Sequence, residues 1–113
     1  DVDISKVTNL IVTVIFDFFV NSLVSQKLIL GYTINPPLNS KCIHKLGSTI
    51  EKTYERNIDI NNVFNKAGVC RVIAQIILSI FSLNTKESGA LNDVGKIEAI
   101  RAASAYLESW IKK

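Results

Sequence analysis

Between Ser5 and Leu30 the polar residues Asn9, Thr13, Asp17, Asn21 and Ser25 recur at every fourth position, and almost everything between them is large and apolar. A period of four lays those polar groups along one narrow, slowly drifting stripe of a helix. Leu10, Ile11, Val12, Val14, Ile15, Phe16, Phe18, Phe19, Val20, Leu23 and Val24 fill the rest of its circumference. The β-branched content of residues 11–20 invites a strand, but the polar period of a half-buried strand is two, not four. A helix that is apolar nearly all round must be covered. A chain of 113 residues has limited surface with which to cover it. The pattern therefore predicts a partner surface as well as a core.

The same reading along the rest of the chain gives more helices. The first is expected over residues 5–28, ended by Gly31 and the Pro36-Pro37 pair, which force an extended link. Asn39 or Ser40 then caps a second helix over 40–56, with Ile43, Leu46, Ile50 and Tyr54 on its inner side and Lys41, Lys45, Glu51, Lys52 and Glu55 largely in water. Asp59 is a good cap for a third helix over 60–83, with Gly68 a break or a close-packing point. Its polar residues Arg71, Gln75, Ser79 and Ser82 again make a single narrow line, so this helix too is apolar nearly all round. Residues 84–89 read as a loop. A last helix over 92–112 puts Val94, Ile97, Ile100, Ser104, Leu107 and Ile111 on one face, and Lys112-Lys113 suit its C-terminal dipole. The expectation is an all-α chain, a compact bundle of four to five helices forming a single domain over residues 1–113.

Composition narrows the function classes. The charge is +3, from 13 Lys and Arg against 10 Asp and Glu, and the basic residues are scattered rather than set in a stripe with interleaved aromatics. That is solubilising charge and does not predict a nucleic-acid partner. The longest apolar stretch, residues 10–20, is broken by Thr13 and Asp17 and is short of the roughly 20 residues of a membrane span. Asp1 and Asp3 stand where a signal peptide would be basic, which fits a mature secreted product whose signal has been removed. Cys42 and Cys70, an even pair in a small domain of that kind, predict one disulfide, the alternative being two reduced, buried thiols.

Catalytic chemistry is not expected. His44 is the only histidine, and residues two apart on a helix point about 200° apart, so Cys42 and His44 make no dyad. Two cysteines and one histidine at these spacings match no metal site, and glycine-rich phosphate loops are missing, so neither a metal nor a cofactor is expected. Asp17, in the middle of the most apolar helix, is either solvated on the polar stripe or paired at an interface, with Arg71 its candidate partner.

Residues 17–25, Asp-Phe-Phe-Val-Asn-Ser-Leu-Val-Ser, followed by Gly31 and Leu38, resemble the first helix and first turn of spidroin N-terminal domains, the terminal domains of spider silk proteins. Residues 46–50 resemble that family's second helix and residues 96–103 its fourth. Residues 70–78 are similar instead to the cysteine-bearing core helix of spidroin C-terminal domains, and Val94-Gly95-Lys96 with Ile100 and Ser104 to their last helix. Each motif is short. The chain departs from the N-terminal pattern where Leu10 replaces an early tryptophan, Asn39-Ser40 an acidic pair and Gln75 a glutamate; Glu87 and Lys66 retain parts of the charge pattern. Both terminal domains are small helical bundles that form homodimers and control silk assembly. The resemblance implies a similar role here, with a second copy and silk protein chains as partners.

The primary expectation is thus a non-catalytic self-association domain of a secreted, silk-like structural protein that controls solubility and assembly. The interface candidates are Phe16, Phe18, Phe19, Leu23, Ile76, Ile77 and Ile80. The charge-pair candidates are Asp17, Lys66, Arg71 and Glu87. The alternative is a small helical carrier, since two nearly all-apolar helices can also wall a cavity for a hydrophobic ligand.

Overall fold

A computed structural model describes residues 3–31 and 40–111, and all regular structure among them is helical. The first helix, α1, runs over Ile4–Val20, opened by Asp3, whose carboxylate accepts from the Ser5 amide. It stops well short of residue 28. Asn21 closes the last turn, and Ser22 is extended, its hydroxyl accepting from the Ser25 amide. That cap starts a new direction. The short helix α2, Leu23–Ser25, runs into a π-helical turn, Gln26–Leu30, and the pair is bent 97° from α1. The stripe residues Asn21 and Ser25 thus help make a corner and do not continue a face.

Gln26 fastens this corner. It is buried, its amide nitrogen donates to the Phe19 carbonyl at 3.2 Å, and its amide oxygen accepts from the Leu91 amide at 2.9 Å. Gln26→Leu leaves the buried Leu91 amide unpaired, whereas the Phe19 carbonyl keeps its bond from the Ser22 amide. It is expected to lower the unfolding free energy by about 1–3 kcal/mol, read by urea denaturation followed by circular dichroism. A loss below about 0.5 kcal/mol would show the bridge to be dispensable.

The second long helix, α3, covers Ser40–Asn57, close to expectation. The Pro36-Pro37 link and the Asn39 cap lie outside the described residues. The next helix, α4, begins at Lys66 and not at residue 60. Asp59 does accept a local amide, from Asn61, but the segment that follows is a series of turns that presses Ile60 and Val63 into the core. Asn65 is the cap of α4, and its side-chain amide oxygen accepts from the Gly68 amide. A side chain at 68 would meet the Asn65 amide at 2.3 Å, so the expected close-packing glycine serves the helix's own cap. At its far end α4 continues to Ser88, through the expected loop, because Asn84 and Thr85 are buried and bonded; Gly89, at φ +81°, ends it.

The last helix, α5, covers Asp93–Ile111. Its buried face is Gly95, Ala99, Ala103, Ser104 and Leu107, whereas Val94 and Ile97 are exposed. The helix is turned about one residue from expectation, because α5 packs on α4 through its small residues. A Cβ at Gly95 would lie 2.7 Å from the Asn84 amide oxygen. The core between the helices holds Val12, Leu30, Ile50, Tyr54, Ile73, Ile77, Leu78, Phe81 and Leu107, all essentially inaccessible to water.

No disulfide joins Cys42 and Cys70. The helices α3 and α4 are antiparallel, with Lys66 meeting Glu55 and Arg71 lying on Gly47. Cys42, exposed on the first turn of α3, is five positions beyond Gly47, and Cys70 is buried one position on the other side of Arg71. At 1.5 Å per residue the thiols are offset by roughly 9 Å along the axis alone. A disulfide spans at most ~7 Å between Cα atoms. The stability expected from a covalent staple therefore comes from the apolar core.

Among the described residues α4 alone is a single helix long and apolar enough to cross a membrane, and half of its apolar window is buried inside the chain. That is how the central helix of a small bundle looks, and it makes no clear membrane span.

Candidate self-association surface

One side of α1 is used by the chain itself. Ile4, Val7, Thr8, Ile11, Val12, Phe16 and Phe19 are buried against the other helices. The Thr8 and Tyr54 hydroxyls share a hydrogen bond of 2.6 Å deep in this contact. The other side is not polar as a whole. Leu10, Val14 and Phe18 are 55%, 63% and 56% exposed, and their i, i+4, i+8 spacing lines them up beside Asp17. Burying half of an all-apolar helix leaves an apolar half outside, and the polar stripe of Asn9, Thr13 and Asp17 is only one margin of it.

Phe18 is held in place from below. Its ring meets the Phe19 ring edge-on, centroids 5.1 Å apart, and Phe19 meets Phe81 in the same way at 6.3 Å. Phe16 completes the cluster at 6.0 Å from Phe81, with the Lys96 ammonium 5.3 Å from its centroid. Edge-to-face pairs of this kind fix ring orientation as well as area. The exposed ring therefore sits on a rigid aromatic base.

The interface candidates divide accordingly. Phe16, Phe19 and Ile77 are core residues and are not available to a partner. Ile76 and Ile80 are partly buried, with Ile80 packed on the core. Phe18 and Leu23 are exposed. Leu10 and Val14 belong to the surface and were not among the candidates; their shared period of four with Phe18 was the signal that identifies them.

The charge-pair candidates do not meet one another. Lys66 pairs with Glu55 at 2.9 Å, and this hydrogen bond holds its ammonium above the ordinary range. Eleven residues and a turn separate the two, so no local spacing announces the pair. Asp17 and Glu87 are exposed, and Arg71 is half-buried; among the described residues none of these three forms an ion pair. The Asp17 carboxylate is exposed at the margin of the apolar face.

Two buried groups have displaced acidities. Burial pushes the Tyr54 hydroxyl up to about 12, against the opposing hydrogen bond from Thr8. Burial, with Glu51 and Glu55 adding to it, pushes the Cys70 thiol up to about 12. A thiol held neutral in this way is a packing group and not a nucleophile. Among the described residues no three His, Cys, Asp or Glu side chains converge as a metal site would require. Two clefts open onto solvent. One, of about 850 Å³, lies at the end of the bundle between Ile4, Ile60 and Ile111 and is edged by acidic groups; the other, of about 770 Å³, lies along α4. No family model, curated protein or solved structure matches the chain.

Proposed function

We propose that the chain is a non-catalytic self-association domain that forms a homodimer through the Leu10, Val14 and Phe18 face of α1. The observation that carries this reading is the apolar stripe left outside on a helix whose opposite side is fully used by the core. Hiding apolar surface supplies the driving force, roughly 10 kcal/mol for each ~400 Å² before association costs are met. Asp17, at the margin of the stripe, sets register and salt sensitivity more than affinity. The wider setting, a secreted silk-like structural protein whose solubility and assembly the domain controls, with silk protein chains as partners, rests on the resemblance of residues 17–25, 46–50 and 96–103 to spidroin terminal domains.

Size-exclusion chromatography with light scattering, from micromolar to millimolar concentration, tests the proposal. The expected result is a dimer mass that is unchanged by reductant, which separates the stripe from a bridge between two exposed Cys42 thiols. Leu10→Ser with Phe18→Ser is expected to weaken the dimer by about 100-fold or more, the loss of roughly 3 kcal/mol of apolar contact. Both positions are exposed, so the helical circular dichroism is retained. A monomer mass for the unmodified protein over the whole range overturns the reading.

A further inference from the structure

The groove along α4 has a chemistry the dimer does not use. Its floor is the outer face of α4, with Gly68 and Val72, and one wall is the aromatic pair Tyr106 and Trp110 of α5. Phe64 stands at its end and is 78% exposed, more than any other large apolar side chain described. The next residue, Asn65, is held at φ 56° by its cap on α4, the one non-glycine residue at positive φ among those described. An apolar ring left in water is unfavourable unless something covers it.

Arg71 carries the only permanent charge among the residues lining this groove, and no carboxylate lines it. Its guanidinium has no ion-pair partner among the described residues. Its stem lies on Gly47, so closely that a side chain there would come within 2.7 Å of the Arg71 Cγ. A guanidinium without an ion-pair partner among the described residues, lining an aromatic, apolar groove, is complementary to one planar anion attached to an apolar body. We infer that this groove binds a small apolar carboxylate of the fatty-acid type, its head on Arg71 and its chain over Val72 between Phe64 and the Tyr106–Trp110 wall. The volume of about 770 Å³ is within the range of small-molecule sites. The site is a surface groove, because the interior between the helices is filled by core side chains.

Trp110 is the only tryptophan, so its emission reports on the groove directly. Titration with dodecanoate, below its micelle-forming concentration, is expected to give a saturable shift. Dodecanol and dodecyltrimethylammonium, which share the chain but not the anion, are expected to give much weaker ones. Arg71→Gln weakens dodecanoate binding by roughly 10–100-fold, the loss of a charge-assisted contact, while Arg71→Lys, which keeps the charge, retains most of it. Phe64→Ser weakens all binding without changing the oligomeric mass. Leu10→Ser with Phe18→Ser leaves the titration unchanged, so this inference and the proposed dimer succeed or fail separately. No saturable shift, equal response to the three amphiphiles, or an Arg71→Gln variant that binds like the unmodified protein overturns it. So does a Phe64→Ser variant that dissociates a dimer, since the groove is then a face between copies.

Discussion

Phe81→Ala is expected to lower the unfolding free energy by about 3–5 kcal/mol. Phe81 is fully buried and is the ring on which Phe16 and Phe19 both stand edge-on, at 6.0 and 6.3 Å. Removing it leaves a cavity and also releases two rings whose orientation it sets. Through Phe19 the effect reaches Phe18, which lies 5.1 Å from Phe19 on the exposed face. Urea denaturation followed by circular dichroism measures the stability. Light scattering on the folded fraction is expected to show a weakened dimer as well. Phe81→Leu keeps most of the volume, so it separates the cavity from the ring contacts: about 1–2 kcal/mol of loss with near-normal association is the expected outcome. A Phe81→Ala loss below about 1.5 kcal/mol would mean that this cluster does not organise the core.

Raising the pH above 9 is expected to destabilise the protein progressively. The Cys70 thiol ordinarily ionises near 9.0 and the Tyr54 hydroxyl near 10.0, and burial moves both to about 12 in the fold. In the window between the ordinary and the displaced values the unfolded chain binds fewer protons than the folded one, so stability falls as pH rises. Below pH 9 the contribution is fully present, and it is lost progressively as the pH approaches 12. At about 1.4 kcal/mol per unit, the two groups together amount to a loss on the order of 7 kcal/mol by pH 12, of which roughly 3 kcal/mol falls below pH 10.5, a large share of the stability of a domain this size. Urea midpoints between pH 7 and 10.5 measure it. The double variant Cys70→Ala with Tyr54→Phe starts from lower stability, because the Thr8 hydroxyl loses its partner, but it is expected to show a distinctly shallower alkaline slope. Equal slopes would place the alkaline sensitivity elsewhere.

Where the chain's own pattern is periodic and local, the helix is legible in the sequence. The helix over residues 40–57 was expected to within a residue, and its inner residues Ile50 and Tyr54 are among the most buried side chains. The two helices with one narrow polar line are both present as α1 and α4. Element ends were less legible wherever a polar side chain had two possible uses. Asp59 binds the backbone two residues on without starting a helix, and Ser22 starts one in the middle of what reads as a continuous apolar run. A cap residue states that backbone amides near it are satisfied. It does not state which way the chain leaves.

The surface was half legible. The excess of apolar residues on α1 follows from counting, but its division between core and outside does not. Phe16 and Phe19 point inward and Phe18 outward only because α3, α4 and α5 approach α1 from one side. The same holds for α5, where bulk predicted a face through Val94 and Ile97, and close packing on α4 selected Gly95, Ala99 and Ala103. Side-chain size favours burial, but a short interhelical distance favours small residues, and only the assembled helices decide which effect wins.

The sequence by itself determined that this chain is helical and that it has more apolar helix surface than a half-wet bundle needs. Each of these follows from composition and spacing along one strand of covalent chain. The tertiary structure alone decided that Cys42 and Cys70 are out of reach, that Lys66 finds Glu55, and that Leu10, Val14 and Phe18 are the residues left outside. Those outcomes depend on the level and rotation at which one helix meets another. A shift of one residue turns a helix by about 100°, and nothing in the local pattern fixes it.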